Sequence, residues 1–213
     1  GGLSARTVGH AHQDLRLMLQ CAVRNGTLAR NVAAVHAPPK VEQDEIEILS
    51  AEQIADVLAK LDGHTLYPIV ALALATGMRR GELLGLQWDD INLDARTIRV
   101  ERSLEETNAG LRLKSPKTKS GRRNITLPSE TADMLRAYKI EQMRIRLVMG
   151  AGKLEPDTVV FTDVHGKPLK PHTVSRAWRR VVAAKKLPAV TFHALRHTHA
   201  SALINAGVDI PHH

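Results

Sequence analysis

Apolar residues recur at helical spacing through most of this chain and give way to alternation only in its middle. Val8, Leu15, Met18, Leu19 and Val23 share one face of a helix predicted over 4–24, with Ser4 placed to cap it and Asn25-Gly26 to end it. A shorter helical piece is expected over 28–35. Ala37-Pro38-Pro39 and the acids Asp44, Glu45 and Glu47 then read as a linker. Ser50 and Gln53 fit a capping box that opens a helix ending near Leu61. Further helices are predicted over 65–76 (stopped by Gly77), 81–86, 130–149, 173–184 and 194–206 (stopped by Gly207). Residues 97–104, 111–115 and 124–127 alternate instead, which predicts a three-stranded antiparallel meander with turns at Gly110 and Ser120-Gly121. The fold class is therefore mainly α with a small three-stranded antiparallel sheet, an α+β arrangement. Residues 1–36 hold too few helices to bury a core, so they are expected to be the end of a larger helical domain. A linker over 37–49 and a main domain over 50–213 would follow.

Composition changes this picture in two ways. The chain has 30 Lys and Arg against 22 Asp and Glu, a formal net charge of +8, which favours a polyanionic partner. A single cysteine, Cys21, excludes an internal disulfide framework and a cysteine-rich zinc site, so a reduced cytoplasmic setting is expected. No apolar run reaches membrane-spanning length, and no membrane partner is expected. A chain that opens Gly1-Gly2-Leu3 and stops at His213 is expected to be cut at both ends.

Three constellations carry candidate chemistry. In Thr76-Gly77-Met78-Arg79-Arg80-Gly81-Glu82, Gly77 permits a tight break that sets Arg79 at the mouth of the next helix. A phosphate there would meet backbone amides and a bidentate guanidinium, with Glu82 holding Arg79 in place. Read alone, the arginine pair also suits a solvated helix break.

From Arg112 to Arg123 there are six cations (Arg112, Lys114, Lys117, Lys119, Arg122, Arg123) and no acid. Alternate residues of a β-hairpin share a face, so several of these can meet a line of phosphates. An edge hairpin kept soluble by lysine has the same composition. A lysine among cations can also be a proton donor, because neighbouring positive charge lowers its pKa.

In His193-Ala194-Leu195-Arg196-His197-Thr198-His199, His193 and Arg196 stand three residues apart, joining an imidazole that moves protons to a guanidinium that grips anions. His193 and His197 have the spacing of zinc helices. Ala194 stands where the glutamate of that motif would be, and no nearby acid or cysteine completes a site. His199 lies on the stripe with Leu195, Ala202 and Leu203 and is expected in the core. A weaker fourth feature is the basic face of the 173–186 helix, with Arg176, Arg179 and Arg180.

The order of these elements resembles the tyrosine recombinase (phage integrase) family. Residues 76–82 look like its first arginine motif, Lys117-Thr118-Lys119-Ser120-Gly121-Arg122-Arg123 like its hairpin lysine motif, and His193-Ala194-Leu195-Arg196-His197-Thr198 like its H-x-x-R motif. The match runs from about Ser50 to Ile210, and residues 3–36 resemble the end of the family's helical core-binding domain, a SAM-like DNA-binding fold. The resemblance implies that Arg79 and Arg196 clamp the scissile phosphate and Glu82 supports Arg79. Lys117 would protonate the departing 5′-oxygen, with Lys119 a competing candidate, and His193 would handle the nucleophile's proton. Duplex DNA would be the partner, contacted by Arg80, Arg112, Lys114, Lys119, Arg122, Arg123, Arg176, Arg179 and Arg180. No metal or cofactor is implied. The full-length protein would be a homo-oligomer, a tetramer on DNA, and the expected setting is the bacterial or phage-encoded cytoplasm at the nucleoid.

One departure stands out. The family's nucleophilic tyrosine would follow Asp209-Ile210, where this chain has Pro211-His212-His213. Tyr67 and Tyr138 fall in helices that correspond to scaffold. The 213-residue chain is thus expected to hold the clamp without forming a phosphotyrosine link. Two other readings fit the same residues: a non-catalytic DNA-binding or regulatory protein derived from a recombinase, and a type IB topoisomerase-like enzyme. A helix-turn-helix around Gly77 would place Leu83, Leu84 and Leu86 at the recognition helix, a position suited to polar side chains.

Overall fold

The computed structural model describes residues 2–40, 47–115 and 122–205, in two units, Gly1–Glu45 and Ile46–His213. In the first unit, helix α1 (Ala5–Arg24) is capped by Ser4, whose hydroxyl accepts the Thr7 amide hydrogen. The 28–35 segment forms only a 3-10 turn at Val32–Ala34, because Asn31 turns its side chain back to the Arg16 carbonyl and Gln20. Among the described residues of this unit only Ala33 is buried. The helix and its Ser4 cap fall where the sequence led one to expect them.

The second unit is built around α3 (Tyr67–Thr76), whose sequence YPIVALALAT is apolar on every side. Such a helix is stable only when surrounded. α2 (Ala51–Lys60), α5 (Ser129–Val148) and α7 (Ala194–Asn205) pack around it, and Ile69, Val70, Leu72, Leu135 and Leu195 are buried there. The Ser50 capping box starts α2, its hydroxyl accepting from the Gln53 amide and Gln53 Oε1 accepting from the Ser50 amide. α6 (Pro171–Ala184) is amphipathic: Val174, Trp178 and Val181 face inward, and Trp178 Nε1 donates to the Val190 carbonyl at 2.8 Å. Burying each such side chain stabilises the fold by about 1.5–3 kcal/mol. No helix among the described residues is long and apolar enough to cross a membrane.

The strands depart from a single meander. Residues 97–104 divide at Glu101-Arg102 into β2 (Thr97–Val100) and β3 (Ser103–Thr107). β2 lies between β1 (Ile91–Asn92) and β5 (Arg123–Thr126), giving the three-stranded antiparallel sheet β1-β2-β5. β3 pairs with β4 (Gly110–Lys114) as a separate two-stranded hairpin. The cause is α4 (Arg80–Gly85), which lies against the β3 backbone through two glycines. A Cβ on Gly81 would stand 2.9 Å from the Leu104 carbonyl oxygen, and one on Gly85 would stand 3.0 Å from the Leu104 nitrogen. Arg102 secures the break, reaching Asp90 at 2.8 Å and the Gln87 side chain. The alternation of 97–104 covers β2 and the first two residues of β3 but carried no sign of the change of sheet.

Candidate functional site

Arg79 owes its position to the sharp turn before it. α3 ends on Gly77 in the left-handed conformation (φ 60°), and a Cβ there would fall 2.4 Å from His199 Cδ2. Only glycine combines that backbone with that contact. Arg79 then adopts the extended conformation as the residue before α4. Its amide is not left open for a ligand, because Glu82 Oε2 accepts it at 2.8 Å. The expected phosphate site of backbone amides at this helix start is to that extent occupied from within.

Glu82 is the hub of the site. It is 7% exposed, and Oε1 also accepts from Arg79 Nη1 at 3.1 Å and from Arg123 Nη1 at 3.1 Å, while Oε2 accepts from Arg123 Nη2 at 2.8 Å. Burial pushes its carboxyl upward, but the Arg123 guanidinium, the Arg79 amide and the Arg79 guanidinium outweigh it and hold it below the usual range. A buried carboxylate with four donors is a fixed negative charge.

α7 brings the second arginine. Arg196 donates Nη1 to the Gly77 carbonyl, tying its guanidinium to the turn that sets Arg79. Partial burial and the neighbouring charge of Arg79 pull its pKa down, Glu82 offsets them, and Arg123 adds to the repulsion. Arg196 thus feels the charge of both Arg79 and Arg123 beside a single carboxylate. An anion would relieve that surplus.

His193 precedes α7, and its ring stands edge-on to His197 with centroids 4.9 Å apart. Partial burial and then the positive surroundings of His197, Arg196, Arg80 and Arg79 lower its pKa, which favours the neutral form that can accept a proton. Among the described residues no third donor joins the two histidines into a metal site.

Other expected residues are spread over the surface. Arg112, Arg122, Arg176, Arg179 and Arg180 are exposed. Lys114 pairs with Glu105 at 3.2 Å across the β3–β4 hairpin, and Arg80 donates to Ser175 on α6. Arg123, expected among the DNA-backbone contacts, commits both terminal nitrogens to Glu82. Lys117 and Lys119 lie outside the described residues. Leu83 and Leu84 are fully buried, so α4 cannot serve as a groove-reading helix. Tyr138 is packed with Trp88 and Phe161, and Tyr67 opens α3.

Sequence reasoning missed three ties. The Arg123–Glu82 fork spans forty-one residues, and Thr198 Oγ1 accepts the Leu49 amide across one hundred and forty-nine. His199, expected in the core, is half-buried and donates Nδ1 to the Leu74 carbonyl at 2.8 Å while filling the space Gly77 leaves. All three are long-range pairings without a local pattern. The one available signal was a histidine on an otherwise apolar stripe.

The site is thus a cross-braced group of arginines on a mainly helical domain with a small sheet. The phage integrase family model matches residues 42–212, and the chain belongs to that family. It is 30% identical to a XerC-like tyrosine recombinase of Caldanaerobacter subterraneus subsp. tengcongensis, over 98% of this chain and 58% of that protein. It is also 30% identical to the integrase of Mycobacterium phage L5, over 93% of this chain and 52% of that one. The chain thus spans little more than half the length of these relatives. Among solved structures it is similar to the Tn1549 transposon integrase in complex with transposon right end DNA (TM-score 0.83, 25% identity, 98% of this chain and 69% of that one). A lambda integrase dimer bound to a COC′ core site shares the fold (TM-score 0.61, 20% identity, 96% and 69%).

Proposed function

We propose that this chain supplies the phosphate clamp and much of the DNA-backbone surface of a site-specific DNA recombinase. The observation that carries the reading is that Arg79 and Arg123 share Glu82 while Arg196 is tied to the Gly77 turn that sets Arg79, with His193, whose neutral form is favoured, under the same positive charge. Arg79 and Arg196 would hold the non-bridging oxygens of the scissile phosphate and stabilise the charge that builds as it becomes pentavalent. A tyrosine oxygen forms the new bond to phosphorus as the P–O5′ bond breaks. His193 takes the phenolic proton, and Lys117, with Lys119 as the competing candidate, gives one to the departing 5′-oxygen. A 5′-hydroxyl from another strand then reverses the step and releases the tyrosine. The attacking residue is neither Tyr67 nor Tyr138, both of which belong to the helical scaffold. The active protein would be a homo-oligomer on duplex DNA, four copies in the complete assembly, working at the DNA of a cytoplasm.

The test uses the 213-residue chain itself. Fluorescence anisotropy with a labelled mixed-sequence duplex should show affinity falling steeply with salt, by about 0.9 in logarithmic slope for each phosphate contacted. On a nicked suicide duplex the same chain should leave no tyrosine-linked adduct. A flat salt response would sink the DNA-binding surface, and an adduct would overturn the scaffold role of the two tyrosines.

A further inference from the structure

Glu82 has two oxygens, and two guanidiniums and one backbone amide compete for them. Arg123 takes both oxygens in a fork, through Nη1 at 3.1 Å and Nη2 at 2.8 Å. Arg79 is left with a single side-chain bond, Nη1 to Oε1 at 3.1 Å, and that is its only side-chain hydrogen bond among the described residues. The two guanidiniums also differ in setting: the Arg79 side chain is 60% exposed, whereas that of Arg123 is 30% exposed. Arg123 is held from the other side as well, since it opens β5 and pairs with Val100 of β2. One arginine is anchored at both ends, and the other is braced at one corner with the rest of its fork facing outward.

We propose that Arg123 is a positioning residue rather than a DNA-backbone contact: it saturates Glu82 so that Arg79 keeps a donor face open for the phosphate. This rests on the recombinase reading given above. Remove Arg123, and a buried carboxylate has one remaining strong partner. Arg79 then turns onto Glu82 in the bidentate geometry that arginine and carboxylate prefer, and the donors meant for the phosphate are withdrawn. Glu82 holds Arg79 in place, and Arg123 keeps it from holding too hard.

The test uses the full-length gene product with a suicide duplex bearing its recombination site. Arg123→Met should leave duplex affinity and its salt slope close to those of the parent. It should slow formation of the covalent complex by about ten- to a hundredfold, the size typical of losing a group that orients a ligand-bearing residue. Arg123→Lys keeps the charge without the fork and should fall between. Adding Glu82→Gln to Arg123→Met should recover part of the loss, because no unpaired carboxylate then remains to capture Arg79. Arg122→Met, on the exposed neighbour, should do the opposite and reduce the salt slope by about one contact. Arg123 is a backbone contact, and the proposal fails, if its variant lowers the slope as Arg122→Met does and Glu82→Gln brings no recovery. It fails equally if Arg123→Met cleaves like the parent. A parent protein that forms no covalent complex overturns the recombinase reading itself, a result distinct from either.

Discussion

Arginines serve two regions of this molecule under opposite rules. Around Glu82, each guanidinium is tied to a named acceptor: Arg123 to both carboxylate oxygens, Arg79 to one, Arg196 to the Gly77 carbonyl. On α6, Arg176, Arg179 and Arg180 project from the face opposite Val174, Trp178 and Val181 and make no hydrogen bond among the described residues. The first group trades mobility for geometry, which suits charge that must appear at one point in a transition state. The second keeps its mobility, which suits a line of phosphates met in any sequence. Composition alone would count all six arginines alike.

Arg196→Ala breaks the comparison most severely. It removes the guanidinium proposed to hold the phosphate and the tie from α7 to the turn that sets Arg79. In the full-length protein, covalent-complex formation on a suicide duplex should fall by at least the 10²–10³ range seen when one preorganised donor is lost. Duplex affinity should change little by comparison. Equal losses in binding and cleavage would show that the clamp and the surface do not differ in kind.

Replacing Arg176, Arg179 and Arg180 together with Gln probes the other side. Each residue that neutralises a phosphate contributes about 0.9 to the salt slope, so the triple variant should lose up to about 2.7. At saturating DNA its cleavage rate should match the parent. An unchanged slope would mean that α6 faces solvent in the complex.

Much of this contrast could be read from the sequence, and the reasons are local. Gly77 announced a helix break, Ser50 with Gln53 announced a helix start, and the H-x-x-R spacing put His193 and Arg196 within one turn of each other at the start of α7. Each depends on residues within about one turn of each other. The change of sheet at Glu101-Arg102 was not legible, because its cause is the bare backbone contact of Gly81 and Gly85 with β3. The Arg123–Glu82 fork was not legible for a related reason. Beside Arg122, Arg123 looks like half of a basic pair, yet strand alternation sends one outward and the other to a carboxylate forty-one residues away. Adjacency in sequence implied a common setting, and the fold gives them two.

The smallest expected effect concerns pH. In the unliganded site His193 lies below its ordinary value of 6.5, chiefly through partial burial and then through His197, Arg196, Arg80 and Arg79. A lowered pKa means that the neutral, proton-accepting form persists through neutral pH and is lost only as pH falls through the lowered value. A bound phosphate places negative charge against the same arginines and relieves their repulsion, so the histidine should become easier to protonate. Single-turnover cleavage at subsaturating DNA reports the free protein, and at saturating DNA it reports the complex. The first should therefore show an acid limb below pH 6.5, and the second should show that limb at higher pH. His193→Gln should be slow at every pH and lack both limbs. A limb that survives in that variant belongs to another group, such as His199, whose pKa is also lowered by burial. Limbs that coincide in the two regimes would mean that the phosphate does not sit among these arginines, and the clamp would then resemble the α6 face after all.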